Sequence, residues 1–243
     1  MPYQSSLIIY KTKYKMKTSK INKGLLAIGL VALALSGCAS SKDFVAENFA
    51  TIKNTHKKIA ILPFGVQFQN PLDYSKQKKG SPIQQVRRPF SKQEQEASLD
   101  AQKEFFMNVA KQVEKGRYEI AFQDFTRTNK VLSENGIRLE DVKFQNKADL
   151  AKLLGVDAVI FGELVIKISR PTDRSMSISP VMMNNTRFND GVDTDIKLFD
   201  AASGEMVWST VLSNQPNNRM DTPHQLSTSL LNQVAKNLPY RTK

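Results

Sequence analysis

The segment that most limits what this chain can fold into is Ala158-Val159-Ile160-Phe161-Gly162-Glu163-Leu164-Val165-Ile166. Its first half is apolar at every position, so a strand here needs cover on both faces and belongs in the middle of a sheet. The other elements are read around it. Lys58-Ile59-Ala60-Ile61-Leu62-Pro63-Phe64 is a second buried strand, shorter and closed by proline, and residues 118–122 form a third. Val192, Thr194, Ile196 and Leu198 alternate with Asp193, Asp195 and Lys197, the pattern of a half-exposed strand. Residues 200–204 turn the chain into a last strand over 205–212, where Met206, Trp208, Thr210 and Leu212 share a face.

Between these strands the apolar period lengthens. Ala97, Ala101, Phe105, Val109 and Val113 recur every fourth residue, which predicts a helix over 96–115 stopped by Gly116. Shorter helices are predicted over 128–135 and 146–154, each ended by a glycine. The closing helix opens on Thr222-Pro223-His224-Gln225, a capping box with proline at the first helical position, and carries Leu226, Leu230, Leu231, Val234 and Leu238 as a stripe. The order predicts an α/β fold: a single sandwich over 58–240, with a mixed sheet of about five strands flanked by helices. Two long loops, 66–95 and 170–188, interrupt it. No internal repeat is visible.

The first forty residues belong to something else. Six lysines and no acid occupy residues 1–23, an apolar run of eleven residues follows from Leu25 to Leu35, and Leu35-Ser36-Gly37-Cys38 closes it. A basic head, a short apolar run and small residues are a secretory signal, and the run is too short to span a bilayer, which takes roughly 20 residues. Met16 as start gives a more ordinary head than Met1. Leu35-Ser36-Gly37-Cys38 resembles the lipobox of bacterial lipoproteins. It implies that residues 1–37 are a signal peptide and that Cys38 is acylated, palmitate included, and becomes the first residue of the mature chain. Residues 38–57 then read as a lipidated tether, with a short helical turn at 44–49. Ala39 rather than aspartate after the anchor points to the outer membrane, facing the periplasm.

Lipidation of Cys38 changes the composition. It uses the only cysteine, so disulfides, a catalytic thiol and thiolate-bound metals are excluded from the mature chain. The whole sequence holds 35 basic and 23 acidic residues, net +12; without the six leader lysines the balance is 29 against 23, or +6. Most of that lies in one stretch, where Lys76, Lys78, Lys79, Arg87, Arg88 and Lys92 face Asp73 alone. The remainder is nearly neutral, which argues against a nucleic-acid partner. Two readings fit the basic stretch: a solvated insertion, or contact with an anionic lipid, polymer or protein surface.

Chemistry is sparse. His56 in the tether and His224 in a helix cap have no third ligand partner, so no metal site is expected. No nucleophile elbow, phosphate loop or dinucleotide fingerprint appears, and neither catalytic residues nor cofactors are expected. Asp193 and Asp195 can be read as paired carboxylates or as a strand face balanced by Lys197. Residues 124–129 can be read as a ligand cradle or as helix capping. Neither long loop alternates as a membrane-spanning hairpin must, which disfavours a pore.

Three segments, Lys58–Phe64, Leu153–Gly162 and Leu198–Ser209, occur in an order and spacing that resemble the curli-secretion lipoprotein family (CsgG-like). They are similar also to the TolB amino-terminal domain and to lipoprotein activators of peptidoglycan synthases. The resemblance spans about 58–238 and rests on fold-bearing motifs. It implies an envelope accessory protein that assembles or scaffolds through protein contacts, with no catalytic residue to carry over. Its partner is another envelope protein or a second copy of itself. A glycan- or small-molecule-binding lipoprotein and an oligomeric channel component are the alternatives.

Overall fold

The computed structural model describes residues 42–69, 88–167, 191–214 and 222–241. The doubly apolar strand sits where the sequence puts it. Strand β5, Ala158–Lys167, lies inside a seven-stranded mixed sheet together with β1 (Lys42–Val45), β2 (Lys58–Ile61), β3 (Gly65–Gln69), β4 (Ala121–Phe122), β6 (Gly191–Asp200) and β7 (Met206–Asn214). The sheet order is β1-β7-β6-β5-β2-β4, with β3 also paired to β5. On one side of β5 the pairings are parallel; on the other, β6, β7 and β1 follow in antiparallel steps.

The helices are α1 (Phe49–Ile52), α2 (Lys92–Glu114), α3 (Phe125–Glu134), α4 (Lys147–Leu154) and α5 (Pro223–Lys236), with a 3-10 turn over Leu139–Phe144. Each begins or ends where a side chain or glycine satisfies the backbone. Ser91 and Glu94 cap α2 reciprocally, Asn146 accepts from the first amides of α4, and Thr222 and Gln225 form the expected box on α5. Gly155 ends α4 at φ +65°, a left-handed conformation that a side chain there would strain.

The larger core lies under α2 and α5. Phe105, Val109, Leu226, Leu230, Leu231 and Val234 pack on Ile61, Ile160, Leu164, Ile196, Leu198 and Trp208. Among the described residues the opposite face is covered only over its β2–β5 half, where Leu132, Val142, Leu150 and Leu154 meet Ala60, Leu62, Val159 and Phe161. Both faces of the first half of β5 are therefore buried, and Trp208 is a core residue.

One side of β5 is occupied twice. β2 pairs with residues 158–160 and β3 with 163–167, and the chain crosses between them through Leu62-Pro63-Phe64. Proline has no amide to donate, so the ladder breaks there. The carbonyls of Ile61 and Phe64 are taken up instead by α2: Gln102 Nε2 donates to Ile61 O at 2.8 Å and Ser98 Oγ to Phe64 O at 2.6 Å. This explains why α2 buries polar residues. Its inner face runs through Glu94, Ser98, Gln102 and Asn108 as well as the expected apolar stripe, while Val113 of that stripe is exposed. The ring of Phe64 lies on Gly162, and a Cβ at that position would meet it at 2.5 Å.

Three expectations need correction. The sheet has seven strands, not about five, because Lys42–Val45 and Gly65–Gln69 are strands rather than tether and loop. Regular structure is therefore present within the expected 38–57 tether, at Lys42–Val45 and at α1 with buried Phe49. The loop expected over 66–95 is narrowed at both ends by β3 and α2. The third expected strand shrinks to Ala121–Phe122, with Tyr118 in an isolated bridge to Arg241. Short polar strands such as KDFV and GVQFQ have weak local patterns; their order comes from pairing with a distant strand.

The register also sorts the connections. Gln69 pairs with Lys167, Lys167 with Gly191, and Asn214 with Val192, so β3, β5 and β7 all end where β6 begins. The connections 70–87, 168–190 and 215–221 thus all leave one end of the sheet. Lys42 pairs with Val211, so β1 starts toward that same end and runs away from it. The other end is closed by short turns.

Candidate functional site

The closed end holds a buried network that local sequence does not announce. His56 Nε2 lies 2.8 Å from Asp200 Oδ1, and Nδ1 contacts the Tyr240 hydroxyl. The carboxylate can only accept, so Nε2 carries a proton, and the direction of the Nδ1–phenol contact follows from whether Nδ1 carries one too. Asp200 Oδ2 accepts from the Ser203 amide at 2.6 Å and its hydroxyl at 2.8 Å. Burial pushes the Asp200 carboxyl up, but hydrogen bonds from His56 and Ser203 outweigh it and hold it below the usual carboxylate range. Burial, and then the nearby Asp200 and Asp157 charges, push the Tyr240 phenol above its ordinary value. A serine, a histidine and an aspartate are present, but Ser203 bonds the aspartate and not the imidazole. The cluster ties the segment before β2, the β6–β7 turn and the chain's last turn together. It is a clasp.

The two open sequence readings resolve in the same way. Asp124 accepts from the Thr126 hydroxyl and the amides of Thr126 at 2.8 Å and Arg127 at 3.4 Å, which pulls its carboxyl down and caps α3. Asn129 Nδ2 donates to Gln102 at 2.8 Å while its Oδ1 is buried with no partner among the described residues, so capping accounts for Asp124 to Arg127. Asp195 lies 2.7 Å from Lys197 and Asp193 2.5 Å from Lys167, while Glu163 pairs with Lys143. Each strand carboxylate has its own ammonium, and the open half of the second sheet face is a ladder of such pairs. Among the described residues no group of three or more His, Cys, Asp or Glu is placed to hold a metal ion.

Of the expected contact residues, Cys38, Lys76, Lys78, Lys79 and Arg87 lie outside the described residues, as does the loop 170–188. Arg88 and Lys92 are described and differ. The Arg88 guanidinium donates to both oxygens of buried Glu94, at 2.8 and 2.5 Å, and is thereby spent on the α2 cap. Lys92 stands in solvent, its side chain 92% exposed, with only Glu96 at 3.8 Å.

Two surface features remain. Between the first turns of α2 and α5 an open cleft of about 360 Å³ is floored by Phe68, Leu164 and Ile166 and edged by Glu96, Asp100 and His224. The other is β1. It is an edge strand whose outer side pairs with nothing among the described residues, and it exposes Phe44 at 45% and Val45 at 54%, with Val211 of β7 at 38%. Phe44 shares the open face with its partner Ser209, and Val45 the helix-side face with Trp208. Its one acid, Asp43, is tied to the Thr210 hydroxyl. The signal was present as Asp43-Phe44-Val45, apolar residues too few to stand out from a tether.

No protein-family model matches the chain, and no curated protein is similar enough to count as a relative. The sequence resemblance to curli-secretion and TolB-type proteins is therefore not supported by a family match. Among solved structures the chain is similar to the PelC dodecamer from Paraburkholderia phytofirmans, with 11% identity over 84% of this chain and 99% of that one and a TM-score of 0.44. Similar too is the lipoprotein GNA1162 from Neisseria meningitidis, with 14% identity, 74% and 98% covered and a TM-score of 0.37. The carboxy-terminal domain of LpoB from Salmonella enterica follows at 10%, 77% and 92% covered, and 0.33. These neighbours are bacterial proteins, one of them a lipoprotein; at such scores they assign neither function nor partner. No helix among the described residues is long and apolar enough to cross a membrane.

Proposed function

We propose that this protein is a lipid-anchored, non-enzymatic accessory of the bacterial cell envelope that acts in assembly or scaffolding by binding another envelope protein. The lipobox supports the anchor at Cys38, and Ala39 after it supports the outer membrane. The observation that carries the protein-contact reading is the free edge of β1. An unpaired edge accepts a strand from another chain, with backbone bonds supplying affinity and alternate side chains supplying specificity. Phe44 and Val45 point to opposite faces of that edge, as a strand-pairing partner requires. The basic residues Lys76, Lys78, Lys79 and Arg87, with Lys92, are proposed as a second contact, toward an anionic surface. Each is worth about 1 kcal/mol at a charged membrane. Arg88 leaves this set because Glu94 holds it.

A photo-crosslinking residue at position 44 or 45, in the native lipoprotein in cells, is expected to capture one discrete envelope protein. The same probe at exposed Glu134 is expected to capture nothing. Identical adducts from positions 44 and 134, or none from either, sink the proposal; an adduct of twice the chain mass redirects it to a homo-oligomer. The cleft supports a second reading, a small-molecule carrier, since ligand pockets run from about 300 Å³ upward. A small molecule that co-purifies with the protein and is lost from Leu164→Trp is its check.

A further inference from the structure

We propose that the mature domain stands end-on, with the end of the sheet where β5 and β7 finish and α2 and α5 begin resting against the lipid surface that holds Cys38. The inference rests on the anchor reading above and adds an orientation to it. Its basis is reach. Only four residues carry the chain from Cys38 to Lys42, the first described residue, and four residues span at most about 14 Å. Lys42 pairs with Val211, which lies three residues from the end of β7 at Asn214. About 10 Å of strand separates Val211 from that end. The lipid surface is therefore within reach there.

The closed end is not within reach. From Val211 back to Met206 and round the turn at Ala202 is roughly 20 Å or more along the strand direction. The tether cannot span it. A side-on arrangement, with β1 lying along the bilayer, meets a different obstacle. Among the described residues nothing pairs with the outer edge of β1, and backbone amides and carbonyls on such an edge are satisfied by water or a partner strand but not by lipid. An end-on stance keeps that edge upright and accessible. Among the described residues, the ones brought nearest the lipid are Gln93 in the first turn of α2, Ser213 and Asn214 on β7, and Thr222 at the cap of α5. Those brought farthest are Ala202 in the β6–β7 turn and Glu114 at the end of α2.

The lone cysteine makes the test clean, because acylation removes its thiol. Single cysteines are introduced by Ser213→Cys, Gln93→Cys, Ala202→Cys and Glu114→Cys, all exposed positions, and labelled with a fluorophore. Each lipoprotein is reconstituted into phosphatidylethanolamine–phosphatidylglycerol vesicles carrying a headgroup nitroxide lipid. Labels at 213 and 93 are expected to lose most of their fluorescence, and labels at 202 and 114 to keep theirs. Equal quenching at the two ends, quenching confined to 202 and 114, or no quenching of an acylated and membrane-bound chain overturns the orientation. Mass analysis of the mature protein separates the two ideas. A chain without acyl groups on Cys38 overturns the anchor reading itself, and the orientation with it. An acylated chain quenched equally at both ends overturns the orientation alone.

Discussion

The two ends of this sheet are built by different means. At one end His56, Asp200, Ser203 and Tyr240 draw together three stretches of chain that are 144 and 184 residues apart in sequence, and almost every polar atom there has a partner inside the protein. At the other, the connections are long, the helix starts are capped by their own neighbours, and Lys92 stands in solvent. A clasp that spends its polar groups internally fixes a fold and offers nothing to a partner. An end whose elements are each capped locally tolerates long insertions, because no insertion has to satisfy another element's backbone. The division suggests where stability resides and where contact occurs, and mutations graded from the closed end to the open one can break it.

The largest effect is expected at the clasp. Asp200→Ala strips the partner from His56 Nε2 in a buried contact, while the amide and hydroxyl of exposed Ser203 lose their acceptor to water. A buried donor left without its acceptor costs about 1–3 kcal/mol, and urea unfolding of the detergent-solubilised protein reads it directly. A loss below about 1 kcal/mol, the scale of an ordinary surface change, erases the contrast between the ends.

Lys147 tests the region between them. Its ammonium is buried against the Phe161 ring, 4.9 Å from the centroid, and donates to the carbonyls of Val142, Lys143 and Gln145 at 2.9, 3.1 and 2.8 Å. Burial lowers its pKa to about 8 from 10.5, with Glu163 opposing and Lys197 assisting. Between those values the unfolded chain holds a proton that the folded chain has released. Stability therefore rises with pH from about 8 upward, by no more than about 3 kcal/mol over the full interval. Above about pH 10 the buried Tyr118 and Tyr240, whose phenols are held protonated, reverse the trend. Lys147→Met is expected to lose stability at pH 7 and to flatten the rise between pH 8 and 10. An unchanged slope in that variant removes Lys147 from the account.

What could be read in the sequence follows the same division between local and distant causes. The strand β5 was legible because its cover shows as a continuous apolar run, and the β6–β7 hairpin because alternation and a turn are local facts. The α5 box and the Gly155 stop are equally local. β1 and β3 were not legible, since their four and five residues become strands only by pairing with partners far along the chain. The clasp left no trace at all: a histidine ahead of a strand, an aspartate before a turn and a tyrosine near the end are each unremarkable alone. The α2 boundary is a different matter. Ser91-x-x-Glu94 is a capping box in plain sight, but the apolar period that marks the helix begins only at Ala97, and the polar residues buried to reach the Pro63 break disguised the first turn and a half.

That cap supplies the smallest expected effect and the sharpest control on the comparison. Glu94 is buried, and burial pushes its carboxyl up; the Arg88 and Ser91 hydrogen bonds outweigh burial and leave it below the ordinary value. Arg88 itself is half in solvent, with its side chain 53% exposed, so the pair is screened. Arg88→Ala is expected to cost at most about 1 kcal/mol near neutral pH, because Ser91 N still donates to the carboxylate at 2.9 Å and the capping box survives. The sign of its pH dependence is fixed: a depressed carboxyl pKa contributes stability above its unfolded value near 4.5 and loses it as the medium is acidified through the folded value. The Arg88→Ala penalty should therefore shrink as the medium is acidified through the lowered folded value and Glu94 becomes protonated in either protein. A penalty that matches Asp200→Ala, or that persists undiminished in acid, means the open end is clasped as firmly as the closed one and that its residues are held for the fold rather than left for contact.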